Sequence, residues 1–155
     1  MRPMEVLVKT VHLSDVAKLL ALADRANESQ VLPLLSEEGR LSMRKATRAS
    51  ASQIANRGRY SGLKAVLDSK IVGYVVWRDG FYVSQLYVDP PFHRKGIGRR
   101  LMNEVLKRAS SFPLKLRASP NALGFYESFG FRAIDVEALD NGIRYVPMEY
   151  DSETN

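Results

Sequence analysis

A short glycine-containing segment, residues 93–99, has the composition in this sequence best suited to binding an anion. It follows residues 81–88, whose aromatic and β-branched content is typical of a strand, and it leads into apolar residues spaced as on a helix. A helix N-terminus presents unpaired backbone N–H groups and partial positive charge, and glycines at 96 and 98 allow a ligand close approach. Further donors come from four side chains: His93, Arg94, Lys95 and Arg99. The segment predicts a site for a phosphorylated ligand such as a pyrophosphate.

Two common phosphate-binding motifs do not match this segment. The pattern G-x-x-x-x-G-K-S/T is absent from the chain, and the dinucleotide pattern G-x-G-x-x-G would need glycine where Leu101 stands. An ordinary helix N-terminus with a basic first turn would have the same composition, because short glycine patterns are weak signals by themselves. The surrounding sequence has to distinguish these interpretations.

Two longer stretches carry a family resemblance. Residues 86–102, LYVDPPFHRKGIGRRLM, resemble the acetyl-CoA-binding motif of the GNAT superfamily of N-acetyltransferases, Gln/Arg-x-x-Gly-x-Gly/Ala, with His93 in the Gln/Arg position. Residues 116–135, LRASPNALGFYESFGFRAID, resemble the later family motif, in which an Asn or Ser-Pro turn leads to Phe-Tyr-Glu-x-x-Gly-Phe. The motifs have the family's order and about its spacing, and together they cover roughly residues 63–150. Residues 1–62 match only the family's general layout.

The resemblance implies an α/β (α+β) fold with a mixed, mostly antiparallel sheet of about seven strands flanked by about four helices. It also implies a transferase, an acyltransferase that moves an acetyl group from acetyl-CoA to a primary amine by direct attack on the thioester. Acetyl-CoA would be a co-substrate, and no metal would take part.

The resemblance further assigns roles to individual residues. Backbone groups of Leu86, Tyr87 and Val88 would bind the pantetheine arm, with an N–H near Leu86 polarising the thioester carbonyl. Asn121 would touch the cofactor arm, and Tyr126 would be the general acid facing the sulfur, although Tyr126 has a simple core aromatic as its alternative. The pyrophosphate would be held by the whole glycine loop: His93, Arg94, Lys95, Gly96, Ile97, Gly98 and Arg99.

The sequence leaves the general base open. Some GNAT proteins have a glutamate near the end of the strand before the glycine loop, where this chain has Ser84 and Gln85. Gln85 cannot accept a proton, so either another group or a chain of waters must serve. The remaining candidates are three acids: Asp79, Asp89 and Glu149.

The acceptor is predicted from charge. Residues 36–57, expected to be a helix covering the acceptor site, carry five basic residues and no acid after Glu38. Such a surface would repel polyamines and aminoglycosides, which favours a small-molecule amine that also carries a carboxylate or phosphate. A protein N-terminus or lysine is the alternative acceptor. A non-catalytic acyl-CoA-binding module is the alternative function, suggested by the missing acid at Gln85.

Length and composition bound the remaining possibilities. The 155 residues suit one domain, with an acceptor-side lobe over 1–62, a cofactor-binding core over 63–150 and a tail over 151–155. The chain has no cysteine, and His12 and His93 are too far apart to suggest a metal site. No apolar run reaches about 18 residues, and no signal peptide is recognisable, so we expect a cytoplasmic protein without a membrane partner.

The net charge of +6 raises the question of nucleic acid. Eight basic residues fall within residues 91–117 against Glu104 alone, and CoA phosphates give part of this excess a local use. We therefore do not expect nucleic-acid binding. A homodimer is left open by the sequence.

Periodicity and turn residues predict seven strands and four helices. Asp79-Gly80 and Asn141-Gly142 are strong hairpin signals, and Ser14 is the expected N-cap of the first helix. The predicted strand over 81–88, the helix over 96–111 and the strand over 114–118 form a strand–helix–strand unit. Such a unit implies a parallel crossover, with a ligand crevice at the carboxyl ends of the strands. The strands are predicted over residues 4–11, 63–68, 71–77, 81–88, 114–118, 131–139 and 143–150. The last three helices are predicted over 36–57, 96–111 and 121–129.

Overall fold

The computed structural model describes residues 5–151, which form eight strands and four α-helices. The first half of that range contains β1 (Leu7–Thr10), α1 (Val16–Gln30), α2 (Glu37–Ala55), β2 (Tyr60–Leu67), β3 (Lys70–Arg78) and β4 (Tyr82–Val88). The second half contains α3 (Ile97–Arg108), β5 (Leu114–Ala118), α4 (Leu123–Glu127), β6 (Arg132–Ala133), β7 (Ala138–Asp140) and β8 (Ile143–Tyr150). Over these residues no helix has both the length and the apolar composition needed to cross a membrane.

The strands form one mixed sheet. Its order is β1-β2-β3-β4-β5-β8-β6, with β7 paired to β8 outside this path. The β4–β5 pair is parallel and the other pairs are antiparallel. The predicted mixed, mostly antiparallel sheet is confirmed, with eight strands in place of about seven.

Tight turns join three of the strand pairs, and two of them are the predicted hairpins at Asp79-Gly80 and Asn141-Gly142. Both central residues have positive φ at Asp68-Ser69 (48° and 66°), at Asp79-Gly80 (55° and 77°) and at Asn141-Gly142 (50° and 81°). Aspartate, asparagine and glycine tolerate this conformation, which matches the twist of antiparallel strands. These turns set the register of the β2–β3–β4 meander and of the β7–β8 hairpin.

Each face of the sheet has its own core. On one face, α3 packs through Ile97, Leu101 and Val105 against side chains that include Val75 of β3. On the other face, α1 packs Leu19 and other apolar residues against Tyr74, Val76 and Tyr87. Adjacent residues of β3 therefore face opposite cores, as the period of two in a strand requires.

The parallel strands β4 and β5 diverge soon after they meet. They pair at Tyr82↔Lys115 and Val83↔Leu116, whereas β5 stays paired to β8 along its whole length. Residues 84–88 of β4 therefore have no ladder partner on the side that faces β5. A wedge opens there, at the carboxyl end of β4 and next to the glycine loop.

Three local predictions differ from the structure. Ser14 does not cap α1, because a 3-10 turn (Leu13–Asp15) precedes the helix and the Asp15 carboxylate accepts from the His12 N–H (2.8 Å). The strand predicted over 131–139 is broken into β6 and β7, and Val136 between them is 78% exposed. The helix predicted from 121 begins as a 3-10 turn at Pro120. Residue 4 of the predicted first strand lies outside the described residues.

Candidate active site

The edge of β4 that faces the wedge offers backbone hydrogen-bonding groups. The Asp89 N–H donates to the Val72 carbonyl (2.9 Å), and antiparallel partners alternate between bonded and non-bonded pairs. In the β3–β4 register, the groups of Tyr87 therefore face β3, and those of Leu86 and Val88 face the wedge. Leu86 and Val88 therefore lie where the predicted backbone contacts would be made, although the Val88 carbonyl already accepts from His93. Tyr87 differs from its prediction, because its backbone is used within the sheet and its side chain points to the α1 core.

The glycine loop enters α3 through a left-handed residue. Gly96 has a φ of 79°, and a Cβ built on it would meet no atom within 4 Å, so the space in front of it is open. The Arg100 N–H makes the bond to the Gly96 carbonyl (3.0 Å) that begins the helix. The N–H groups of Ile97, Gly98 and Arg99 precede this ladder and are the donors that an anion would use.

Gly98 is required for packing between α3 and α4 as well as for the close approach of a ligand to the backbone. A Cβ on Gly98 would lie 3.2 Å from the Phe125 ring, so the glycine lets the first turn of α3 contact α4. Arg99 strengthens this contact, since it donates to the Ser128 hydroxyl (3.0 Å) and stacks over the Phe129 ring at 4.7 Å. The glycine loop and the second sequence motif are therefore packed together.

His93 closes the loop back onto β4. Its Nε2 lies 2.7 Å from the Val88 carbonyl oxygen, and because a carbonyl oxygen only accepts, Nε2 carries the proton. The His93 backbone N–H donates to the Pro90 carbonyl (3.2 Å). His93 thus orients the loop relative to β4, and both of these donors already have protein partners.

A single cavity of about 920 Å³ extends along the wedge. Eleven of the twelve residues predicted for the site line it, namely Leu86, Tyr87, Val88, His93, Arg94, Gly96, Ile97, Gly98, Arg99, Asn121 and Tyr126. Lys95 is the exception: it is exposed and lies outside the lining. Motifs about thirty residues apart in sequence therefore converge on one space.

Tyr126 lies in this cavity with its ring held by two phenylalanines. Its ring makes edge contacts with Phe125 (5.2 Å between centroids) and Phe131 (5.6 Å), and the residue is 8% exposed. Burial is the main cause that raises the Tyr126 pKa, and the nearby Tyr87 phenol raises it further. The hydroxyl therefore stays protonated throughout the neutral range.

The acids considered as general bases are all engaged elsewhere. Asp89 is 2% exposed and accepts from the Arg25 guanidinium (3.0 and 3.1 Å). Asp79 pairs with Arg59 and Arg78, and Glu149 pairs with Arg132. Of residues 5–151, the one carboxylate that lines the cavity is Asp140, which pairs with Arg117 at 3.1 Å.

Sequence reasoning expected residues 36–57 to cover the acceptor site, but it missed the polar residues that α1 and α2 place in the cavity wall. Neutral polar side chains line it, among them Asn27, Thr47 and Ser50, each at most 6% exposed. The available signal was the apolar face of α1, because Asn27 falls four residues after Ala23 and so lies on the buried side. A buried amide on such a face points to a polar contact that the helix itself does not use.

The comparisons with known proteins agree with this geometry. The profile of the family described as "Acetyltransferase (GNAT) domain" matches residues 31–152, and the chain belongs to this family. A crystal structure described as a GCN5-related N-acetyltransferase from Rhodopseudomonas palustris superposes with a TM-score of 0.83 at 21% identity, covering 97% of this chain and 99% of that one. The PaiA N-acetyltransferase from Thermoplasma acidophilum, solved in complex with coenzyme A, superposes with a TM-score of 0.77 at 21% identity. This match covers 96% of this chain and 99% of that one.

One curated relative has a named acceptor. The peptidyl-lysine N-acetyltransferase YiaC of Escherichia coli is 32% identical over 69 residues, which are 44% of this chain and 47% of YiaC. The chain therefore spans about half the length of the curated relatives it matches. Within the described residues, no group of three His, Cys, Asp or Glu side chains is arranged to hold a metal ion.

Proposed function

We propose that this protein transfers an acetyl group from acetyl-CoA to the primary amine of a small-molecule acceptor. One observation carries the proposal: a single cavity joins the open edge of β4, the N-terminus of α3 and the Tyr126 phenol. These features suit, in turn, the pantetheine and thioester, the pyrophosphate and the sulfur of one extended ligand. Acetyl-CoA supplies the activated acyl group.

Each group then has a stated task. The Leu86 N–H donates to the thioester oxygen as negative charge develops there, and the Leu86 carbonyl and the Val88 N–H bind the pantetheine arm. The first N–H groups of α3 bind the pyrophosphate, with Arg94 at the rim of the cavity, and Asn121 contacts the cofactor arm. The Tyr126 hydroxyl donates to the departing sulfur. Burial disfavours a thiolate as well as a phenolate, so the pKa of the departing thiol is raised along with that of Tyr126.

Deprotonation of the amine proceeds without a protein carboxylate in this proposal. The cavity carboxylate among the described residues, Asp140, is paired with Arg117. The acceptor therefore binds as a free amine, or loses its proton to water within the cavity.

The structure changes the charge argument that was used to predict the acceptor. Two basic residues of α2 are neutralised by acids of α1, since Arg48 pairs with Asp24 and Arg44 pairs with Glu28. Arg40 and Arg57 donate to the backbone carbonyls of Leu32 and Val11. The charge argument against cationic amines is thus weaker, because two of the five basic residues are neutralised while Arg40, Lys45 and Arg57 keep their charge. The small-molecule proposal now depends on the α1–α2 wall that covers the cavity.

A peptide lysine is the second candidate acceptor. The similarity to YiaC, described as a peptidyl-lysine N-acetyltransferase, favours it. A lysine side chain would have to reach the thioester past the same α1–α2 wall.

Thermal unfolding with acetyl-CoA, with ATP and NAD at equal concentration as controls, tests the cofactor. Acetyl-CoA at a hundredfold over its Kd should stabilise the fold by about 2.7 kcal/mol, which is several degrees in a domain of this size. Amine-dependent release of the CoA thiol then tests transfer. Because the chain has no cysteine, the protein adds no thiol signal of its own. Binding without release of thiol for any amine would support the non-catalytic acyl-CoA-binding module.

A further inference from the structure

Two buried polar atoms in the cavity wall have no protein partner. Among residues 5–151, Asn27 Oδ1 and Gln85 Nε2 are buried side-chain atoms that lack a hydrogen bond. Both residues line the main cavity. Buried polar groups are nearly always paired, and leaving one unpaired costs free energy. Because both atoms are covered by protein, a ligand in the cavity would reach them after a small rotation of each amide side chain and would then be the partner that both lack.

The orientation of the Asn27 amide is fixed by its neighbours. The Thr47 hydroxyl donates to the Met43 carbonyl (3.0 Å), so its oxygen can only accept from Asn27 Nδ2 (3.4 Å). The Asn27 amide also lies near the Tyr87 phenol and lowers its pKa, against the larger effect of burial that raises it. The NH₂ group is therefore used within the protein, and Oδ1 is left as an acceptor.

The orientation of Gln85 is fixed in the same way. The Tyr74 side chain is fully buried, and its hydroxyl donates to Gln85 Oε1 (2.7 Å). Reversing the amide would leave the Tyr74 proton without this acceptor. Nε2 is therefore left as a donor, on the same face of β4 as Tyr87 and two residues before it.

The space beside Asn27 continues between the helices. A second cavity of about 320 Å³ shares Asn27, Met43 and Thr47 with the first. Its four charged residues pair across it, Arg48 with Asp24 and Arg44 with Glu28. The cavity thus presents one acceptor on Asn27 and one donor on Gln85 that lack a protein partner. The charged residues of the second cavity are paired with one another.

We infer that Asn27 and Gln85 contact the acceptor, and that they select a primary amine carrying an uncharged hydrogen-bond-accepting oxygen near its nitrogen. This inference rests on the proposed function. Asn27 Oδ1 accepts an N–H of the amine, which holds the nitrogen lone pair in one direction and stabilises the positive charge that nitrogen gains on attack. Gln85 Nε2 donates to the neighbouring carbonyl or hydroxyl oxygen.

The experiment compares several amines as acceptors for one and the same protein sample. Acetylation of glycinamide, which has a neutral carbonyl near its amine, is measured against n-propylamine, which has no oxygen, and against Nα-acetyl-lysinamide, whose ε-amine is far from any oxygen. The wild type should favour glycinamide over n-propylamine by about tenfold in kcat/KM calculated for the unprotonated amine, because the two amines differ in basicity; this factor is the one expected for one hydrogen bond to an otherwise unpaired group. The preference should hardly change with salt, because no charge recognises the acceptor.

Two variants on different elements test the residues, Asn27→Leu on α1 and Gln85→Met on β4. Each should reduce the preference to about twofold or less, while the exposed Asn103→Leu on α3 serves as the matched control and should keep it. The preference is a ratio measured on one protein sample, so partial loss of folded protein does not alter it. Unchanged binding of acetyl-CoA confirms that each variant is folded.

Three results would overturn the inference. They are equal rates with glycinamide and n-propylamine, a preference for Nα-acetyl-lysinamide, and an unchanged preference in both variants, which would mean that water satisfies the two atoms. If acetyl-CoA binds but no amine is acetylated, the proposed function itself fails and this inference fails with it.

Discussion

The Tyr126 hydroxyl and the two unpaired amide atoms divide the chemistry of the cavity between them. Tyr126 is on the α4 side of the wedge, and Asn27 and Gln85 are on the α1 face of the sheet. The sulfur of the donor and the nitrogen of the acceptor would thus be served by different elements. Because of this separation, a substitution can remove the group that serves the sulfur without removing the groups that serve the nitrogen, and the reverse.

Tyr126→Phe should abolish most turnover and leave acetyl-CoA binding intact. The phenylalanine ring keeps the contacts with Phe125 and Phe131 but cannot donate a proton, and general acids contribute about 10²- to 10⁴-fold to rate. Steady-state kcat and the thermal shift with acetyl-CoA measure the two effects. Tyr150→Phe on β8, outside the cavity, is the control for loss of a phenol. Full turnover in Tyr126→Phe would exclude the general-acid role.

The pH dependence should report the acceptor rather than an acid of the protein. Without a carboxylate base, kcat/KM should rise about tenfold per pH unit below the pKa of the amine and level off above it. Two acceptors of clearly different basicity should therefore give acid limbs at different pH. The alkaline side should show no fall from Tyr126 near pH 10, because burial raises its pKa. An acid limb that is identical for both amines would instead indicate a protein base.

Helix α2 is held against the rest of the protein by a close backbone contact. A Cβ on Gly39 would overlap the Gly142 carbonyl oxygen, and a Cβ on Gly142 would lie 2.6 Å from the Gly39 nitrogen. Because both partners are backbone, neither can turn aside. The turn of the β7–β8 hairpin therefore fixes the position of the wall that covers the cavity.

Gly39→Ala should destabilise the fold and move α2 away from the hairpin. The clash with backbone should cost about 1–3 kcal/mol, as overpacking does, and should raise the KM for the acceptor more than that for acetyl-CoA. Gly124→Ala on α4 is the matched control, since a Cβ there meets nothing within 4 Å. Chemical denaturation and the two KM values provide the measurements. Equal stability of the two alanine variants would contradict the contact.

Sequence patterns predicted the elements better than their spatial relations. The bounds of β5 and β8 match the predicted 114–118 and 143–150, because turn residues delimit them clearly. The strand over 131–139 failed because its apolar residues beyond Phe131 do not face a core: Ile134 is 47% exposed and Leu139 is 68% exposed. The charge on α2 misled for a similar reason, since Asp24 and Glu28, which neutralise Arg48 and Arg44, come from a different helix. Long-range pairing of this kind leaves no local pattern.

The residues of the glycine loop could be found because the loop's chemistry is local. Donors, glycines and a helix start lie within seven positions, and six of those seven residues line the cavity. The Asn27–Gln85 pair could not be found in this way. Its two members are far apart in sequence, and what identifies them is a missing partner, which only coordinates reveal.

The molecule as a whole should lose stability in alkaline solution. Burial raises the pKa of Tyr74, Tyr87 and Tyr126 in the folded state, while the unfolded chain ionises these groups near pH 10. Above about pH 10 the unfolded state therefore binds fewer protons, so the free energy of unfolding falls as pH rises. Denaturation at pH 8, 10 and 11 measures the slope. Tyr126→Phe should flatten it, and a slope that is equal in wild type and variant would contradict the contribution of Tyr126.

The wedge also has a mechanical consequence. Four strands on one side and the strands around β8 on the other are joined within the sheet by two residue pairs of β4 and β5. An extended ligand lying along Leu86 and Val88 would extend this short seam as an additional strand does. Because one hydrophobic core packed against α3 also spans both halves of the sheet, such a ligand would reinforce an existing connection at the place where the ladder between β4 and β5 is interrupted.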